Sequence, residues 1–281
     1  MIRPVVVLAA VVLVWPASAA AQGDCFPGPG SNEAKTLATF AVPLAFGRGG
    51  APDLLPGFTA GLELASLPHI SDAIATPTIC RPGKGPEHTN LLFGLPRPRI
   101  GMPLPLGLTL QASWVPPVRV NGVKANLFGI AVEKAFGRLD GLVASIRAHG
   151  TFGSIHAPIT CDDNALADVT SECFGGTRSD DRLSPNIMGL DVAVGGSLAE
   201  GRLRPYGGAG YNRLQPRFQV DFTNQFGELD NRRVTVDLNR VVLFGGATWR
   251  VGERFGFTGE LYAAPSDAVS FRFIARTAVG P

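Results

Sequence analysis

Few residues in this chain carry reactive chemistry, and their spacing sets what they can do. The four histidines are His69, His88, His149 and His156. Residues two apart on an extended strand share a face, which groups Ser145, His149 and Thr151 together and places Ser154 beside His156 at the start of a long loop. A serine next to a histidine is the core of an acyl-transfer site, but no third group that would orient the base stands nearby. No catalytic residue is therefore assigned. The pairs Asp162-Asp163 and Asp180-Asp181 offer the hard oxygens that calcium takes, yet they lack the spaced carboxylates of an EF-hand. Gly207-Gly208-Ala209-Gly210 runs into Tyr211-Asn212-Arg213, a strand-like context rather than a phosphate loop. Arg202, Arg204, Arg232 and Arg233 are too sparse for a nucleic-acid face, and the formal net charge is only +2. The expectation is a protein without metal, cofactor or nucleic-acid partner.

The cysteines speak for the compartment. Residues 1–21 join a basic start at Arg3 to about a dozen apolar residues and end on Ala19, Ala20 and Ala21, the pattern of a cleaved secretory signal peptide. In an exported chain, an even set of Cys25, Cys80, Cys161 and Cys173 reads as two disulfides. Cys161 and Cys173 bracket a short acidic loop, which favours their pairing and leaves Cys25 with Cys80. With no C-x-x-C spacing and no adjacent histidine, zinc is set aside.

These residues must be held by strands. With 35 Gly, 23 Pro and 17% charged residues, the chain is too punctuated for helical bundles, while a 45% hydrophobic content excludes a disordered one. Alternation of period two is plain in Leu104–Trp114, Leu142–Phe152, Met188–Leu198, Phe255–Leu261 and Val269–Arg276. Ten strands are predicted: 58–67, 92–102, 107–116, 122–136, 139–155, 186–199, 202–220, 231–251, 255–265 and 268–279. Tight turns fall at 103–106, 137–138, 200–201 and 252–254, and longer polar connections alternate with them. Short turns on one side, long loops on the other and strands of bilayer-crossing length predict an all-β, antiparallel up-and-down transmembrane β-barrel of about ten strands.

In such a barrel the greasy face meets lipid and the opposite face lines the lumen. The lumen-facing candidates are Glu63, Glu133, Arg147, Asp191, Arg204, Glu260, Arg272 and Arg276, interspersed with Gly, Ala, Ser and Thr that let a narrow barrel close. Mixed signs at these positions predict salt bridges across the lumen. The competing reading is a soluble exported sandwich or barrel that binds an apolar ligand, with the same charges facing water. Residues 22–56 form an N-terminal segment ahead of the barrel at 57–281; within it Leu37, Phe40, Ala41 and Leu44 have helical spacing, Ser31 or Asn32 can cap, and Pro43 ends the helix. That segment is either a plug for the barrel mouth or a short helix outside it.

The stretch Gly101-Met102-Pro103-Leu104-Pro105-Leu106-Gly107-Leu108-Thr109-Leu110, with Trp114-Val115-Pro116 and Leu127-Phe128-Gly129-Ile130-Ala131-Val132, resembles strand–turn–strand text of bacterial outer-membrane barrels, both the small OmpA- and OmpW-like proteins and the FadL-like transporters. The resemblance implies the outer membrane of a Gram-negative-type bacterium, outer-membrane lipid and lipopolysaccharide as surroundings, insertion by the barrel-assembly machinery and, on the FadL-like side, passage of small apolar solutes past an N-terminal plug. The chain departs from these families in ending Val279-Gly280-Pro281 rather than on an aromatic residue, and from the FadL-like group in its smaller strand number. The function expected is a structural barrel or narrow conduit for small or apolar solutes, without catalysis; a lipid-modifying barrel enzyme is the further alternative.

Overall fold

The computed structural model describes residues 23–52, 57–136 and 141–279. The expected signal peptide at 1–21 and turn at 137–138 lie outside the described residues.

Ten strands close on themselves. They are β1 (Phe58–Ser66), β2 (Gly94–Leu104), β3 (Leu108–Val115), β4 (Val123–Ala135), β5 (Val143–Ala157), β6 (Ile187–Gly195), β7 (Leu203–Leu214), β8 (Leu238–Val251), β9 (Phe255–Ala264) and β10 (Ala268–Val279). Each pairs antiparallel with its sequence neighbour, and β10 returns to β1 from Arg272↔Ala65 to Val279↔Phe58, so the sheet has no free edge along this seam. All ten predicted strands have a counterpart. Three are clearly shorter than expected: residues 186–199 leave the ladder after Gly195, residues 202–220 leave the wall at Leu214, just before Pro216, and residues 231–251 enter it only at Leu238.

The alternation sorts by polarity in the sense a membrane demands. Leu62, Leu64, Ile100, Phe128, Ile130, Val132, Leu190, Val192, Leu243, Leu261, Phe271 and Phe273 all point outward and are exposed, a continuous apolar belt far beyond what a water-soluble surface carries. Trp114 stacks on Phe128 with ring centroids 6.0 Å apart and donates from Nε1 to Asn126 Oδ1 at 3.0 Å. Phe257 stacks on Phe273 nearer the other rim. Phenylalanine thus shares the interfacial role with the few tryptophans. A closed wall, an apolar outside and a charged inside make this an outer-membrane β-barrel. No described helix is long and apolar enough to cross a membrane.

The two rims differ. Residues 105–107 and 252–254 close tight turns at one rim. At the other, residues 67–93, 158–186 and 215–237 are long, although the connection between β9 and β10 at 265–267 is short there too. These long loops build a cap. The top of β5 pairs with a short strand Asp181–Ser184, which pairs with Arg217–Gln219, then Arg233–Thr235, then in parallel with Asp24–Cys25. Leu183, Phe218, Val220, Phe222, Val234 and Val236 bury their side chains beneath it. Two disulfides brace it, Cys25–Cys80 and Cys161–Cys173.

Candidate functional site: a threaded lumen and an apolar chamber

The N-terminal segment occupies the barrel. Helix α1 (Asn32–Leu44) starts at the long-loop rim, where Ser31 Oγ accepts from Ala34 N and Asn32 Nδ2 donates to the carbonyls of Ala73 and Thr76. Pro43 sits in its last turn, and beyond it the chain runs extended down the lumen as far as Pro52, toward the tight-turn rim. An extended strand without a ladder leaves its carbonyls unpaired, which is costly in a buried place. Barrel side chains supply the donors. Arg272 donates to Pro43 and Ala45, Arg97 to Leu44, Arg147 to Phe46 and Gly47, Arg99 to Gly47 and Arg48, Thr258 to Gly49 and Arg204 to Pro52, over 2.7–3.4 Å. Threonine also acts as acceptor, since Ala51 N donates to Thr248 Oγ1.

Two side chains of the thread fix it. Phe46 is buried within 6.0 Å of the guanidinium carbons of Arg97, Arg99 and Arg147, the closest at 4.7 Å. Gly129 makes room for that ring, since a Cβ there would lie 3.1 Å from it. Arg48 reaches the opposite wall, donating to Glu133 Oε1 at 2.7 Å, to Asp191 Oδ1 at 2.9 Å and to Ser145 Oγ. Gly49 follows with φ +83°, and a Cβ there would stand 2.7 Å from the Arg99 guanidinium, so only glycine threads this point.

The sequence-derived lumen candidates sit as follows. Glu63 pairs with Arg99 at 2.6 Å, Arg147 with Asp191 at 3.0 Å and Arg272 with Glu260 at 3.1 Å; Glu133 and Asp191 take Arg48, and Arg204 takes Pro52. All seven are buried, whereas Arg276 is half-buried near the tight-turn rim. Arg48, Arg97, Arg99, Phe46 and Gln111 are lumen positions that strand alternation did not single out. Arg97 and Arg99 were hidden because β2 carries Pro96, Pro98 and Pro103, and Arg48 because it lies in a Gly-rich, apparently featureless run.

The remaining chemistry-bearing residues are spent on structure. Ser145 accepts from Arg48, and His149 faces Asp191 at 3.6 Å rather than a serine. His156 points away from the lumen to Asp180 at 3.4 Å. Asp162 caps the short helix Asp163–Ala167 by accepting from Ala165 N, and Asp181 accepts from Thr160 N, Ser179 Oγ and Asp221 N. Among the described residues no group of three or more His, Cys, Asp or Glu is placed to hold a metal ion.

Glu33 ties the plug to the cap. Its carboxylate accepts from the N–H groups of Thr78, Ile79 and Cys80 at 2.6–2.8 Å and from Thr78 Oγ1 at 3.1 Å. Burial alone would raise its pKa, but these backbone donors outweigh burial and hold it below the ordinary carboxylate value. Its stabilising contribution is therefore complete above the unfolded value near 4.5 and is lost as the pH falls through the lower folded value. Glu33→Gln is expected to weaken the 78–80 attachment by about 1–3 kcal/mol at neutral pH. The check is amide exchange at Thr78, Ile79 and Cys80, which should quicken in the variant and lose its acid dependence.

Above the thread, where barrel meets cap, lie two small apolar cavities, both partly open. Phe40, Ile159 and Leu183 line both, so they form one two-lobed chamber. The lower lobe is walled by Leu91, Leu92 and Leu95 on one side and by Val123, Ala125 and Ile155 on the other. The wall is interrupted between those two sides. β3 pairs with β2 only from Arg99↔Ser113 to Leu104↔Leu108 and ends at Val115, followed by Pro116 and Pro117, so the top of β2 faces the top of β4 without a full strand between them. Pro96 and Pro98 add to this, because neither has an N–H to offer a ladder.

No family model matches the chain, and no curated protein does. Among solved structures it is similar to Ail, the attachment invasion locus protein of Yersinia pestis, with TM-score 0.32 and 8% identity over 79% of this chain and 98% of that one. It is also similar to the Pseudomonas putida toluene transporter TodX (TM-score 0.30, 10% identity, 85% of this chain and 76% of that one) and to the Acinetobacter baumannii outer membrane protein Omp33 (0.28, 8%, 81% and 100%). Likeness this distant leaves the barrel to rest on its own registers and surface.

Proposed function

We propose that this outer-membrane barrel takes up a small apolar molecule through its side and not along its axis. The observation that carries the reading is the apolar chamber set behind the shortened β3, between Leu95 on β2 and Val123 and Ala125 on β4. A pocket lined by aliphatic side chains, with few polar groups to orient a guest, suits an uncharged hydrocarbon-like solute. The axial route is filled by the thread from Ala45 to Pro52, whose carbonyls are bonded to the wall. The barrel then serves as a rigid frame for a chamber at the boundary between lipid and cap.

The test is binding of a neutral naphthylamine dye to the detergent-folded full chain. The expected result is saturable binding with a blue shift in emission, weakened about tenfold or more by Leu92→Asp, which sets a charge against an apolar guest. Equal binding by wild type and Leu92→Asp would sink the proposal. In planar bilayers the intact protein is expected to show no steady ion conductance, which separates a side-entry chamber from an open pore.

A further inference from the structure

The strand registers set a row of basic side chains on the outer face of the long-loop rim. Arg119 stands opposite Lys124, Lys124 opposite His156, His156 opposite Arg182, Arg182 opposite Gln219 and Gln219 opposite Arg233. Directly opposed residues on paired strands share a face. Here it is the outward one, because Val123, Leu183, Phe218 and Val234, which alternate with the row, are buried while Arg119, Lys124 and Arg182 are exposed. Arg217, two residues before Gln219, is exposed on the same face and sits diagonal to both Arg182 and Arg233, about 7–8 Å from each across the ladder. Like charges this close repel one another. Pairing differs elsewhere on this rim, where Arg213 is matched by Asp237 at 2.8 Å and Arg240 by Asp267 at 2.5 Å. Among the described residues no ion-pair partner is found for Lys124, Arg182 or Arg217; Asp180 takes Arg119 at 3.2 Å and His156 at 3.4 Å, and Asp24 closes the row beside Arg233.

The height of the row above the apolar belt identifies what it meets. Lys124 lies four residues up β4 from Phe128, the last apolar residue on the outward face of that strand, which is about 13 Å along the strand and about 10 Å in height at a tilt near 40°. Trp114, stacked on Phe128 and bonded to Asn126, marks the boundary in between. Lys124 is therefore at the level of lipid head groups, on the side that long loops turn to the exterior. The strand Asp181–Ser184 pairs with the part of β5 that outreaches β6, so Arg182, Arg217 and Arg233 stand higher still, above the top of β6. A glycerophospholipid offers one phosphate within a head-group layer about 5–8 Å thick. The row asks for anions at several heights. We propose that this face is a docking surface for lipopolysaccharide, a lipid that carries phosphates at the membrane surface and acidic sugars above them. Lys124 places a charge nearest the acyl chains, and Arg182, Arg217 and Arg233 donate to the phosphate and carboxylate oxygens above, which suit the planar fork of a guanidinium. The docked lipid also fastens cap to wall, since Lys124 belongs to β4 and the three arginines to cap strands. This surface is independent of the apolar chamber, and either can fail without the other.

Titration of the detergent-folded full chain with purified lipopolysaccharide in mixed micelles tests it, with thermophoresis as the readout and gel mobility before heating as the check that each variant is folded. The expected result is saturable binding that raises the temperature of heat-induced gel-mobility loss. Lipopolysaccharide stripped of its phosphates should bind at least tenfold more weakly. Arg182→Gln combined with Arg217→Gln, both at exposed positions, should weaken binding of the intact lipid at least tenfold, and Lys124→Glu should do the same. Arg213→Gln, on the matched side of the rim, should leave the affinity within about twofold of the wild type. Equal affinity in the wild type and the Arg182→Gln, Arg217→Gln variant would overturn the assignment. So would an equal loss in Arg213→Gln, which would make the effect one of net charge alone. Phosphatidylglycerol bound as tightly as lipopolysaccharide would overturn it in favour of a general anionic-lipid surface, and inorganic phosphate bound as tightly in favour of a free-phosphate site.

Discussion

Replacing Arg48 by alanine is expected to destabilise the folded barrel by about 3–5 kcal/mol, the range for removing one partner of a buried ion pair. Arg48 has 2% of its side chain exposed and bridges Glu133 and Asp191 from within the lumen. The two carboxylates lose unequally. Asp191 keeps Arg147 at 3.0 Å, whereas among the described residues Glu133 retains only the Gln111 amide at 3.4 Å. The stranded charge is therefore Glu133, and a second change, Glu133→Gln in the Arg48→Ala background, should restore a large part of the loss. Urea midpoints of the detergent-folded proteins, read by heat-dependent gel mobility, measure both steps. A single Arg48→Ala variant as stable as the wild type would mean that the thread is not held by this pair. The same variant should admit water beside the thread, so small intermittent conductance in planar bilayers is expected where the wild type is silent.

The contrast between Arg48 and the wall arginines explains what the sequence made legible. Strand position fixes the direction of a side chain, so once period two was recognised in Leu142–Phe152 or Val269–Arg276, the inward placement of Arg147, Asp191, Glu260 and Arg272 followed without knowledge of their partners. Strand count and turn positions came from the same periodicity. Where prolines interrupt the alternation, as at Pro96 and Pro98, the signal faded and Arg97 and Arg99 went unnoticed. Residues 45–52 have no period at all, because an isolated extended thread is satisfied by side chains of six different strands rather than by a repeating neighbour. Its position is a tertiary fact. Phe46 inside a ring of guanidinium groups and the cap sheet assembled from two separate loops and the N-terminal segment are of the same kind, since local sequence specifies neither.

Removing the Cys25–Cys80 bridge by Cys25→Ser with Cys80→Ser should cost about 4 kcal/mol, more than the roughly 3 kcal/mol expected for Cys161→Ser with Cys173→Ser. The reason is loop size. The first bridge joins residues 55 apart and encloses α1, the thread and β1, whereas the second spans 12 residues within one loop. Closing the larger ring removes more freedom from the unfolded chain, in which the N-terminal segment would otherwise drift far from the barrel it must fill. There is a structural consequence as well. Residues 24–25 form the outer strand of the cap through Arg233 and Val234, and Cys80 is held by Glu33, so the bridge fastens the top of the plug to two of the loops around it. Without it the thread is still pinned below by Arg48, Arg99 and Arg147, and the lower lumen should stay closed. Protease added at the long-loop side is therefore expected to cut residues 23–31 readily in the bridge-free variant while sparing 45–52, and the unfolding midpoint to fall further than in the Cys161, Cys173 variant. Equal midpoints for the two variants would show that the covalent ring around the plug adds nothing beyond the lumen contacts.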